Sequence, residues 1–204
     1  KVESKGIYKA NKRTGNWEYF SIEGNLLEVK AFEDDQQESL SSTFYKDGKL
    51  KSKLNYTHGE LQGLTYVYYP SGKVFEKISY ADNLKHDTTF RYFENGTIAA
   101  IELYIHGVKQ GEWNYFNSKG KKYIYINYYN NLVQGPFTTY FRNGKKNSEG
   151  YFMNDVLNGE FFIYHSNKKI AYHTKFKKGE NISDELHYDK KGKLYLPLES
   201  DCKE

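Results

Sequence analysis

The chain has 204 residues and a formal charge of +4, with hydrophobic residues at 38% and aromatic residues at 18%. So few aliphatic residues exclude a thick globular core, so the 21 Tyr, 13 Phe and 2 Trp must carry the burial, as strands and turns rather than helices. The mild, evenly spread charge argues against nucleic acid, no apolar run is long enough to span a membrane, and the single cysteine, Cys202, excludes an internal disulfide and a cysteine-based metal cage.

Along the chain the first regularity is glycine at Gly24, Gly48, Gly72, Gly96, Gly120, Gly144 and Gly192, a period of 24 with Lys168 in the one gap. A small-residue column runs Gly15, Ser39, Gly63, Asp87, Gly111, Gly135, Gly159, Ser183, and a turn-former column runs Asp35, Gly59, Asn83, Gly107, Asn131, Asp155, Gly179. Every twelfth residue from Tyr8 through Phe20, Phe32 and onward to Tyr188 is Tyr or Phe. Each half-repeat therefore reads as one strand plus one turn. The sequence predicts an all-β, open single-layer antiparallel β-meander, solenoid-like, of about eight 24-residue two-strand repeats over residues 1–196, followed by a polar tail over 197–204.

The first turn of each repeat, as in Tyr45-Lys46-Asp47-Gly48-Lys49 and Tyr69-Pro70-Ser71-Gly72-Lys73, reads as a three-residue loop: a type I turn closed by a left-handed glycine. The second turn, as in Thr57-His58-Gly59 and Ala81-Asp82-Asn83, fits the same loop or a two-residue type I′ turn. A three-residue loop is the expectation, pairing Tyr80 with Leu84, Tyr104 with Val108, Tyr128 with Leu132 and Phe152 with Val156. Such loops keep parity, so every ring of the ladder is expected on one even-numbered face with Leu26, Leu50, Val74, Ile98, Ile170 and Leu194. On this reading the small-residue column makes room for large neighbours on the odd face.

That odd face is polar at first (Lys49, Lys51, Lys53, Asn55) and aromatic between Phe93 and Ile163. Trp113, Tyr115, Tyr123, Tyr125, Tyr129, Phe137 and Phe141 are the candidate partner-binding residues, large amphipathic anchors of the kind that dominate protein contacts. Burial of these rings in a second layer is the competing reading. Lys49, Lys73, Lys121, Lys145, Lys169 and Lys193 form a basic edge that solubilises the turns and discourages edge pairing; contact with anionic lipid or nucleic acid is the alternative. His58 and His106 suit turn backbone, and His165, His173 and His187 fall on neighbouring strands without a recurring acidic partner. No nucleophile elbow or phosphate loop occurs, so no enzyme activity, cofactor or metal is expected.

The unit Gly-x-x-x-x-Tyr-Tyr-x-x-Gly-Lys-x-x-x-x-x-x-Tyr-x-x-Gly, well represented by Gly135 to Lys145, resembles the MORN repeat. It is similar in particular to the bacterial variant of proteins labelled as toxin–antitoxin antitoxin components. The resemblance covers residues 5 to 196 and departs from the common MORN pattern in its 24-residue length and in lacking a regular Tyr-Glu-Gly opening. It implies an open, twisted β-meander used for protein contacts. The resulting expectation is a non-enzymatic scaffold that holds a protein, such as a toxin-like partner or complex subunit, in an antitoxin, immunity-like or accessory role. A carbohydrate or cell-wall binding module and a membrane-surface adaptor are the alternatives. A chain beginning at Lys1 rather than Met favours a processed, exported location in periplasm or at the cell surface over the cytoplasm. Open edges are expected near residues 8 and 196, the latter blunted by Pro197.

Overall fold

The computed structural model describes residues 3–195, and the polar tail with Cys202, like the expected edge at 196 and 197, lies outside the described residues. The chain divides into two compact units, Lys1–Val108 and Lys109–Glu204. Each is an open antiparallel β-meander, and no helix occurs among the described residues.

In the first unit one repeat shows the plan. An outgoing strand, Gly63–Tyr68, turns into a returning strand, Val74–Ala81, whose next turn leads through the two-residue segment Leu84–Lys85 to Asp87–Tyr92. At the first turn Gly72 N–H donates to the Tyr69 carbonyl at 2.8 Å and Tyr69 N–H to the Lys73 carbonyl at 2.8 Å, with Gly72 at φ 85°. That is the expected three-residue loop. It is followed by one extra residue, because Tyr68 faces Val74 whereas Val67 faces Glu76.

The second turn differs from expectation. Ala81 pairs with Leu84, Tyr129 with Leu132 and Met153 with Val156, so only two residues form the loop. Asp82 and Asn83 stand at φ 52° and 65°, and the same double positive φ recurs at His58-Gly59 and Asn130-Asn131. This is a type I′ turn, whose twist matches the right-handed twist of the flanking strands. Tyr80 therefore pairs with Lys85, not Leu84.

These two devices correct the face assignment. The two-residue loop at one end and the extra residue beside the three-residue loop at the other each reverse parity, so the ladder of rings is divided. Within the first unit Gly63 pairs with Tyr80 and Thr65 with Ile78, whereas Tyr66 pairs with Lys77. Odd residues of outgoing strands thus share a face with even residues of returning strands. Phe32, Tyr56, Tyr80 and Tyr104 lie on that face, while Phe44, Tyr68 and Tyr92 lie on the other. The same rule in the second unit separates Tyr128, Phe152 and Phe176 from Phe116, Tyr140 and Tyr164.

The first of these faces is the packed one. In the first unit it buries Trp17, Phe32, Ile78 and Ala100 together with Ser41, Ser52, Thr65, Thr89 and Glu102; in the second it buries Trp113 and Thr174. Trp17 stands edge-on to Tyr8 at 4.9 Å and to Phe32 at 6.5 Å, and its indole lies over Gly6, where a Cβ would come within 2.2 Å of the ring. Size alternates across the strand pairs: Ser41 faces Leu54, Thr65 faces Ile78, and Phe137 faces Gly150. The buried Glu102 carboxylate is met by Arg91 and by the Tyr104 hydroxyl at 3.4 Å, an arrangement that keeps a buried charge paired.

The small-residue column has a backbone reason rather than the expected packing one. Gly15, Ser39, Gly63, Asp87, Gly111, Gly135 and Gly159 all have positive φ, at a two-residue register slip where the strand re-enters the sheet. A Cβ at Gly15 or Gly159 would meet nothing within 4 Å.

Successive repeats are stitched along both turn edges. At the type I′ edge the second loop residue donates its N–H to a carbonyl 22 positions earlier: Asn83 to Leu61, Asn131 to Lys109, Asp155 to Val133. Where that residue is Asn or Asp its side chain also accepts the N–H of the same partner, at 2.8 Å for Leu61, 2.9 Å for Lys109 and 2.6 Å for Val133. At the other edge Tyr45 and Tyr69 hydroxyls donate to the carbonyls of Tyr68 and Tyr92.

Candidate partner-binding face

The seven candidate residues do not form one surface. In the second unit Trp113, Tyr115 and Phe137 lie on the packed face; Trp113 is 3% exposed, 4.7 Å from Tyr128, with the Lys109 ammonium 5.0 Å over its ring. Tyr123 is itself the extra residue beside its turn, between Lys122, which faces Phe116, and Ile124, which faces Tyr115, and its ring lies 6.3 Å from that of Tyr115. Phe141 closes its loop, its N–H donating to the Lys145 carbonyl, and is half-buried. Tyr125 and Tyr129 are on the opposite face, since Tyr125 pairs with Asn114 and Tyr129 with Leu132. The Tyr125 hydroxyl is held by Glu112 at 3.3 Å and by Asn127 at 2.8 Å.

The face of Tyr129 also carries Leu132 and Val156, which parity alone placed on the other side. Tyr129 is 63% exposed, and Leu132, Tyr151, Met153 and Val156 are exposed beside it on the same face. The Asp155 clamp on Val133 draws their two turns together. Leu132 and Val156 were legible as turn-flanking apolar residues, but only the two-residue loop puts them on the face of Tyr129 and Met153. The result is a set of exposed apolar side chains on one face of two neighbouring hairpins, Tyr129 and Leu132 on the first and Tyr151, Met153 and Val156 on the second.

The basic edge is largely committed internally. Lys121, Lys145 and Lys169 ammoniums donate to the carbonyls of Asn143, Ser166 and Lys191 on the following turn, and Lys49 pairs with Asp47 at 3.0 Å. The histidines are also spoken for. His165 Nε2 bonds the Tyr188 carbonyl at 2.7 Å; His173 lies flat on Phe162 at 4.4 Å and bonds Glu160 at 2.6 Å; His187 packs on Tyr172 at 5.0 Å. His173 pairs with Phe162 and His187 with Tyr172, on opposite faces, so the three rings do not converge. Among the described residues no group of three or more His, Cys, Asp or Glu is placed to hold a metal ion. Among the described residues no helix is long and apolar enough to cross a membrane.

Against this geometry, residues 37–58, 61–82 and 133–154 match the MORN repeat variant. These segments are MORN-type repeats. Their columns of turn residues and rings continue through the repeats between and around them. No curated protein matches the chain. Among solved structures, 91% of the chain aligns with a chain of the Photorhabdus luminescens Tc holotoxin pore carrying the TccC3-D651A mutation, at 12% identity and a TM-score of 0.21. The alignment spans 14% of that chain, and at this score it bears on neither fold nor function.

Proposed function

We propose that this MORN-repeat chain is a non-enzymatic scaffold that holds a protein partner, with the patch around Tyr129 in the second unit as the anchoring contact. The supporting observation is the exposure of Tyr129, Leu132, Tyr151, Met153 and Val156 on one face of neighbouring hairpins, where large apolar side chains otherwise meet solvent. A tyrosine within an apolar surround is the usual make-up of a binding hot spot. An antitoxin or immunity-like role, or that of an accessory subunit, is the specific form we favour, with a toxin-like protein or complex subunit as partner. No cofactor enters this reading.

The experiment is affinity capture from the source organism with the wild-type chain, Tyr129→Ala/Met153→Ala, and Tyr123→Ala as a control outside the patch. A specific partner should be lost from the double variant and kept by Tyr123→Ala, with unchanged far-UV circular dichroism in both. Undiminished capture by the double variant would remove the patch from consideration.

A further inference from the structure

We infer that the outer edge of the strand Glu3–Lys9 is a dimerisation site, at which a second copy of this chain pairs antiparallel about a two-fold axis at Gly6. Among the described residues this strand pairs on one side only, with Lys12–Phe20. Its counterparts in later repeats, Leu26–Glu33, Leu50–Thr57 and Val74–Ala81, are each paired on both sides. Every residue of Glu3–Lys9 is exposed, Ile7 at 68% and Tyr8 at 62%.

The turn decides which backbone groups face outward. Ala10 and Asn11, at φ 49° and 63°, form a two-residue loop, so Lys9 and Lys12, which flank it, are a hydrogen-bonded pair. Odd residues of the strand therefore bond inward. Ala31, Asn55 and Ser79 do the same in later repeats, each carbonyl accepting an N–H from the chain that follows. Ser4, Gly6 and Tyr8 turn their N–H and C=O groups to the open edge, a template for one more strand.

Charge selects the occupant and its register. An outward residue must face an outward residue, so the longest overlaps of this strand with its own copy centre on Lys5, Gly6 or Ile7. Centring on Lys5 sets that lysine against itself, and centring on Ile7 sets Lys5 against Lys9 twice. Centring on Gly6 engages the whole strand and sets Glu3 against Lys9 at both ends, in the non-hydrogen-bonded positions where facing side chains come closest. Lysines on an edge ordinarily repel a second strand. Here Lys9 meets a carboxylate, and Lys5 meets Ile7 while lying opposite Glu18 of its own sheet. The packed face fits the same axis. Trp17 lies over Gly6, and Tyr8 stands edge-on to Trp17 at 4.9 Å. The two copies of Gly6 meet without side chains, so no Cβ separates the two indoles, and opposite each Tyr8 comes the small Ser4.

Sedimentation velocity of the full chain between about 5 and 200 µM, where weak interfaces titrate, should show monomer and dimer and nothing larger, since a two-fold contact closes at two copies. Glu3→Lys turns both Glu–Lys pairs into Lys–Lys pairs and should raise the dimer Kd about tenfold; adding Lys9→Glu should restore it. Ser4→Pro removes an outward N–H without touching the bonds to Lys12–Phe20, and should leave a monomer with wild-type far-UV circular dichroism. Tyr129→Ala/Met153→Ala should dimerise like the wild type, so this proposal and the partner contact can fail separately. A monomer throughout, species that grow beyond two copies, a dimer indifferent to Glu3→Lys or Ser4→Pro, or no rescue by Lys9→Glu would each overturn the assignment.

Discussion

Gly150 and Lys168 show how much a single side chain decides in so thin a protein. A Cβ on Gly150 would sit 2.8 Å from Phe137 Cε1 and 3.1 Å from Phe161 Cδ2, so both rings would have to move. Gly150→Ala should therefore destabilise by about 1–3 kcal/mol in urea unfolding. Lys168→Gly relieves a left-handed L-residue and should stabilise by about 1 kcal/mol in the same assay. Two phenols give a pH signature. The Tyr104 hydroxyl is pushed up to about 12 by burial and then by the Glu102 charge, and that of Tyr164 to about 12 by burial and then by its hydrogen bond to Glu149. Both folded values lie above the unfolded one, about 10. The neutral phenols thus contribute stability that is fully present below pH 10 and is lost as pH rises through about 12. Urea midpoints measured across that window should fall, and fall less in Tyr104→Phe; an identical slope in the variant would contradict the assignment.

At the level of strand and turn, the clamp between neighbouring loops carries much of the order. Asn83 gives its N–H to the Leu61 carbonyl and accepts the Leu61 N–H at 2.8 Å. Asn83→Ala removes the acceptor and puts a methyl at φ 65°, and should cost about 2 kcal/mol; Asn83→Gly keeps the loop conformation and should cost less. Thermal melts of the pair distinguish a clamp from a mere preference for glycine. This is also the scale at which sequence reading succeeded and failed. The antiparallel meander, the turn positions and the loop closed by Gly48 or Gly72 were legible because ring and glycine periods are direct marks of extended chain and left-handed backbone; the splitting of alternate strands into a two-residue piece and a longer one at the register slip was not. The face of each ring was not, because it hangs on whether Leu84 meets Ala81 or Tyr80 and on one extra residue after Val74. Local composition hardly changes between these alternatives, yet each reverses every side chain beyond it. Trp113 accordingly turned from a candidate contact into a buried residue, and Met153 and Val156 emerged on the same face as Tyr129.

For the molecule as a whole, stability is expected to sum over contacts between sequence-adjacent repeats rather than reside in one centre. The two tryptophans report on it separately: Trp17 is buried in the first unit and Trp113 in the second. With single-tryptophan variants, Gly150→Ala should shift the denaturation midpoint seen by Trp113 more than that seen by Trp17. Equal shifts would mean that the chain unfolds as one cooperative block. The clamps also act as a ruler. Because each loop reaches back 22 residues for its partner, a whole 24-residue cassette can be spliced in or out with every clamp re-formed. An insertion of a single residue leaves two loops out of step. Growth of such a chain is quantised: it lengthens by duplication of complete modules.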